Sequence, residues 1–140
     1  MNLYRIEADD CPSQDLLTHF DATHAWIAEA LSNGGNVLVH CYAGISRSAS
    51  IVIAYIMKEL NLDFDSAYNL VLRARPVISP NEGFEKQLRF YKALGCTTKG
   101  DSPAHEALNK YLIDYESKRL DALSFLHAWQ ELRAHSEAAR

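Results

Sequence analysis

Apolar residues recur along this chain mostly at helical spacing, interrupted by one short continuous apolar run. From Asp15 to Ser32, the residues Leu16, Leu17, Phe20, Ile27, Ala30 and Leu31 share a face, and Asn33-Gly34-Gly35 stops the pattern. Val37-Leu38-Val39 is short and unbroken, as in a buried strand, and Leu3 to Ala8 reads as a second short strand. Ile51 to Met57 lies within a helix predicted from about Ser48 to Leu60. Another helix is predicted from near Asp63 to just before Arg75-Pro76, because proline disfavours helical backbone in the residue ahead of it. Asn81 to Leu94 places Phe84, Leu88, Tyr91 and Leu94 on one side. Ser102-Pro103 supplies a cap and a first helical residue. Beyond it Leu108, Tyr111, Leu112 and Tyr115, then Leu120, Leu123, Leu126 and Trp129, predict two more helices. The expected class is α/β, a small parallel sheet with a mostly helical remainder.

The strand-to-helix junction carries the chemistry. His40-Cys41-Tyr42-Ala43-Gly44-Ile45-Ser46-Arg47-Ser48 runs from the end of the apolar strand to the start of a buried helix. Consecutive backbone N–H groups of such a loop can turn inward, and the helix N-terminus adds partial positive charge, so the segment is an anion cradle. Arg47 can grip two oxygens of a phosphate with its planar fork. Cys41 stands at the base of the cradle, where positive potential favours thiolate. Gly44 permits a turn and close approach to a ligand. Ser46 and Ser48 offer hydroxyls where helix capping is expected, and His40 can order the loop through its ring nitrogens. A cysteine that was merely a small buried hydrophobe would need none of these companions.

The loop resembles the signature His-Cys-x2-Gly-x2-Arg-Ser/Thr of the dual-specificity group of cysteine-dependent protein phosphatases. The likeness extends to Ala67-Tyr68, to Arg75-Pro76-Val77-Ile78-Ser79-Pro80-Asn81-Glu82-Gly83-Phe84 and to Gln87-Leu88, and upstream to a general-acid segment between Tyr4 and Phe20. It covers Tyr4 to Cys96, and Leu94-Gly95-Cys96 is most similar to the branch that usually carries a C-terminal zinc module. No Cys-rich segment follows Cys96, and helices stand in its place. The resemblance implies a catalytic core over residues 1–97 and a C-terminal helical extension over 98–140, whose amphipathic faces either pack on the core or bind a partner. Because the likeness starts at the general-acid strand, a strand expected between Leu3–Ala8 and Val37–His40 is missing. Unpaired edges and uncovered apolar faces then point to homo-oligomerisation or poor solubility.

The resemblance also implies a mechanism. Cys41 attacks phosphorus as thiolate, and Arg47 with the loop amides from Tyr42, Ala43, Gly44, Ile45 and Ser46 holds the equatorial oxygens. A facing carboxylic acid protonates the leaving oxygen. Asp9 and Asp10 are both available, and the family spacing selects Asp10. Ser48 stabilises the departing thiolate in the second step, and Asn81 and His40 support the loop, with an ordinary helix cap as the plainer role for Asn81. No cofactor or metal is implied.

Composition narrows the partners. The 140 residues suffice for one core, and 48% are hydrophobic. A formal charge of -4 argues against general nucleic-acid binding, and no apolar run reaches a membrane span. Three cysteines without paired spacing argue against a disulfide framework, and a thiolate nucleophile suits a reducing, cytoplasmic or nuclear setting. Uncharged Tyr42, Ala43 and Ile45 favour phosphoprotein over inositol-lipid substrates. The expected function is hydrolysis of phosphotyrosine and phosphoserine/phosphothreonine in proteins. The alternatives are a catalytically weak phosphate-binding module and a phosphatase for a non-protein substrate.

Overall fold

Buried apolar faces meet around a central helix. The computed structural model describes residues 1–117 and 121–138, so Leu120 lies outside the described residues. Its helices are α1 (Phe20–Ser32), α2 (Arg47–Leu60), α3 (Phe64–Ala74), α4 (Glu82–Ala93), α5 (Pro103–Glu116) and α6 (Ala122–Ala138), with a 3₁₀ turn at Leu17–His19 leading into α1. Helix α2 packs against α1, α3 and α4. Ile53 and Met57 of α2 and Phe84, Leu88 and Tyr91 of α4 are fully buried there. Each large apolar side chain removed from water in this way contributes about 1.5–3 kcal/mol before chain entropy is set against it.

Local signals account for most boundaries. Asp63 accepts a hydrogen bond from Ser66 N–H at 2.9 Å and Asn81 accepts one from Phe84 N–H at 2.9 Å, so α3 and α4 begin at capping side chains. Ser102 caps α5 in the same manner, with Pro103 at its first turn. Helix α1 ends at Asn33, and Gly34 takes the left-handed backbone (φ +79°) that closes it. The stretch from Asp15 does not start as α-helix. Buried Gln87 accepts from Leu16 N–H (2.7 Å) and Leu17 N–H (2.9 Å), and the entry tightens into the 3₁₀ turn.

The expected small parallel sheet is a correction. No strand occurs among the described residues; Leu3–Ala8 and Val37–His40 are both irregular. A strand exists by virtue of a ladder to a neighbour. Among the described residues neither segment makes a backbone–backbone bond outside regular elements. They still contribute apolar contacts, since Ile6, Ala8, Val37 and Val39 pack on the core while Leu3 and Leu38 are exposed.

The C-terminal helices pack on the core. Phe90 of α4 meets Phe125 and Trp129 of α6 edge-on at ring separations of 5.4 and 5.3 Å, and Tyr111 of α5 stacks on Phe125 at 4.3 Å. His105, buried at the start of α5, has Nε2 2.9 Å from Thr97 O and Nδ1 2.6 Å from Ser102 Oγ. A carbonyl only accepts, so Nε2 donates to Thr97 O.

Candidate active site

The loop between Val39 and α2 folds back on its own cysteine. Cys41 is half-buried, with Sγ 3.3 Å from Ser48 Oγ, and Gly44 N–H donates to Sγ at 3.3 Å. Gly44 makes this possible with a left-handed φ of +68°, a conformation that costs other residues energy. Burial pushes the Cys41 thiol up. Hydrogen bonds from the Ser48 hydroxyl and amide and from the Gly44 and Ile45 amides outweigh it, lowering the pKa from 9.0 to about 7. A substantial thiolate fraction therefore exists at neutral pH.

Arg47 opens α2 and crosses to the opposite segment, donating from Nη1 to Ala8 O at 3.2 Å. Its Nε is buried and has no hydrogen-bond partner among the described residues. Buried donors are rarely left unpaired, and a guanidinium N–H left without a protein acceptor is suited to an oxyanion. Tyr42 and Ala43 are exposed at the rim, and Ile45 is half-buried.

Two expectations about this loop are corrected. Ser46 precedes α2 but makes no side-chain cap. Its Oγ instead accepts from Asn81 N–H at 2.9 Å, tying the loop to the start of α4. His40 is exposed, and among the described residues its ring makes no hydrogen bond, so the ordering through its ring nitrogens expected from sequence is not seen. Other groups that hold the loop escaped the sequence reading. Arg75 Nε donates to Gly44 O at 2.9 Å, and Ser79 N–H donates to Ile45 O at 2.9 Å.

The acidic segment reaches the same place from the other side. Asn81 Nδ2 donates to Asp10 Oδ1 at 3.0 Å, whereas Asp9 is engaged through its backbone N–H with Gln14 Oε1 at 3.1 Å. Asp10 is exposed, so its carboxyl is open to a ligand at the rim. Two contacts anchor the segment to α4. A Cβ at Gly83 would lie 1.9 Å from Pro12 O, so only glycine allows that approach. Gln87, 1% exposed, donates to Gln14 O at 2.8 Å while accepting from Leu16 and Leu17. One helix start thus braces both the cysteine loop and the acid-bearing segment.

Comparison with known proteins shows which family the chain resembles. The family model "Dual specificity phosphatase, catalytic domain" matches residues 1–93. The dual specificity protein phosphatase MPK-4 of Drosophila melanogaster is 50% identical over 91 residues, 65% of this chain and 24% of that protein. Dual specificity protein phosphatase 12 of Mus musculus is 48% identical over 90 residues, 64% of this chain and 26% of that protein. The crystal structure of human tyrosine phosphatase-like serine/threonine/tyrosine-interacting protein superposes with a TM-score of 0.64 at 40% identity, over 66% of this chain and 61% of that one. The matched region thus spans roughly a quarter of the length of these two curated relatives. With the family model matching residues 1–93 of its 140, this chain belongs to the dual specificity phosphatase catalytic-domain family.

Proposed function

We propose that the chain is the catalytic core of a protein phosphatase that hydrolyses phosphotyrosine and phosphoserine/phosphothreonine esters through a cysteinyl-phosphate intermediate. The observation that carries this reading is the Cys41 Sγ held at 3.3 Å by both the Gly44 N–H and the Ser48 hydroxyl, contacts that bring its thiol down to about 7. A structural cysteine gains nothing from such a shift, whereas a nucleophile needs it.

The residues then divide the work. Cys41 thiolate attacks phosphorus in line, and the S–P bond forms as the ester P–O bond breaks. Asp10 gives its proton to the departing oxygen. The amides from Tyr42 to Arg47 and the Arg47 guanidinium bind the three equatorial oxygens as charge moves across them. In the second step Asp10, now a carboxylate, takes a proton from the attacking water. The S–P bond breaks, phosphate leaves, and the Ser48 hydroxyl donates to the restored thiolate. Asn81 supports both halves through Ser46 and Asp10. Uncharged Tyr42, Ala43 and Ile45 at the cradle support phosphoproteins as substrates, and the exposed position of Tyr42 places an aromatic ring at the rim. A thiolate nucleophile also supports a reducing compartment, cytoplasmic or nuclear.

Hydrolysis of p-nitrophenyl phosphate by wild type, Cys41→Ser and Asp10→Asn tests the proposal. Turnover by wild type, its loss in Cys41→Ser and acid-quenched trapping of phosphate on Cys41 are expected. Equal inertness of wild type and Cys41→Ser, with phosphopeptide still bound, would replace the enzyme by a phosphate-binding module.

A further inference from the structure

We infer that Arg75 is a positioning residue that sets the Cys41 thiol by fixing one peptide plane of the loop. A trans peptide is planar, with its C=O and the following N–H pointing in opposite directions. The Gly44–Ile45 peptide is one such unit. Arg75 Nε holds Gly44 O at 2.9 Å on the outer side of the loop. The Ile45 N–H of the same plane must therefore face the other way, and it is one of the amides that lower the Cys41 thiol. Rotating that plane would turn a carbonyl toward the sulfur in place of an N–H, raising the thiol and removing an oxyanion donor together.

The neighbouring plane is held in parallel. Ser79 N–H donates to Ile45 O at 2.9 Å, which directs the Ser46 N–H away from Ser79. Ser79 follows directly on the turn that Arg75 opens, closed by Ile78 N–H on Arg75 O at 3.3 Å. Arg75 itself ends α3, with its N–H on Val71 O, so the guanidinium is carried on a fixed base. The fit is close: a Cβ at Gly44 would approach Arg75 Nη2 to 2.9 Å. The guanidinium therefore lies flush against a glycine whose φ of +68° has little intrinsic preference to stay there.

This inference rests on the proposed chemistry only for its effect on turnover; its effect on the thiol stands alone. The test uses the whole chain as wild type, Arg75→Ala and Arg75→Lys, with Arg73→Ala as a control on the same helix. The pH dependence of Cys41 alkylation by iodoacetamide is followed by mass, alongside thermal unfolding and kcat/KM for p-nitrophenyl phosphate. In Arg75→Ala the alkylation midpoint should rise by about one pH unit while the unfolding temperature moves little, and kcat/KM should fall at least tenfold. Arg75→Lys should lie between, and methylguanidine at millimolar concentration should lower the Arg75→Ala midpoint. An unchanged midpoint in Arg75→Ala would overturn the inference. If wild type alkylates near pH 7 yet hydrolyses nothing, the proposed activity fails while the thiol midpoints still decide the role of Arg75.

Discussion

The side-chain amide of Asn81 donates to Asp10 Oδ1 at 3.0 Å while the backbone N–H of the same residue donates to Ser46 Oγ at 2.9 Å. One residue therefore joins the acid to the loop that holds the nucleophile, and its Oδ1 also caps α4. The capping contact and the contacts to Asp10 and Ser46 coexist in one residue. Asn81→Ala should lose about 1 kcal/mol of stability from the cap and lower kcat more than tenfold by releasing Asp10. Asn81→Ser keeps a capping oxygen but not the amide donor, so it should recover stability and not kcat. Urea unfolding and steady-state kinetics on both variants separate the two effects.

The Cys41 thiol predicts a pH profile. Only the thiolate reacts, and with a pKa of about 7 the alkylation rate should fall about tenfold per unit well below that pH. Ser48→Ala removes the leading hydrogen bond that opposes the burial effect, so its midpoint should move upward. The same variant should show a larger initial burst than steady-state rate with p-nitrophenyl phosphate, because the thiolate leaves less readily in the second step.

Gly83 is predicted to be the least tolerant small residue near the site. An added methyl would sit 1.9 Å from Pro12 O, which is backbone and cannot rotate aside. Gly83→Ala must move the acid-bearing segment away from α4. A loss of about 1–3 kcal/mol and a fall in kcat exceeding the change in Cys41 alkylation are expected. Calorimetry and the pH–rate profile read these two quantities.

Asp21 predicts how the fold responds to acid. Burial raises its carboxyl, but the Thr98 hydroxyl and amide, both at 2.7 Å, the Tyr91 hydroxyl at 2.8 Å and Lys58 prevail and lower it from 3.8 to about 2. The unfolded chain therefore takes up the proton first as pH falls. The stabilisation is complete above roughly pH 5, erodes below pH 4 and is gone below about pH 2. Allowing for partial solvent screening it amounts to about 1–2 kcal/mol. Asp21→Asn should lose that amount at pH 7 and show a flatter stability curve between pH 2 and 4 in urea titrations.

Local chemistry was legible in the sequence and distant chemistry was not. Cys41 and Gly44 lie three residues apart, so the contact of the Gly44 amide with the Cys41 sulfur was readable from spacing. The caps at Asp63, Asn81 and Ser102 act within three residues and were readable for the same reason. Ser46 was misread as a cap because the group it serves, Asn81 N–H, lies 35 residues along the chain. Arg75 was recognisable as part of a motif, but its grip on Gly44 O depends on the path of the turn after α3. The sheet was overread for a related reason. Val37-Leu38-Val39 has strand composition, yet composition cannot supply the neighbour a ladder requires. Asp10 over Asp9 rested on family spacing, and the structure distinguishes the two only by partner: Asp10 accepts from Asn81 Nδ2, whereas Asp9 engages Gln14 through its backbone N–H.

The fastening of Gln14, Leu16 and Leu17 onto Gln87, together with the Pro12–Gly83 contact, has a kinetic consequence. A proton donor carried on so short a tether does not need to swing over bound substrate as a lid would. Turnover should therefore be insensitive to solvent viscosity for slow-leaving alkyl esters, with sucrose and ficoll leaving kcat unchanged. A rate that tracked viscosity there would reveal a gate.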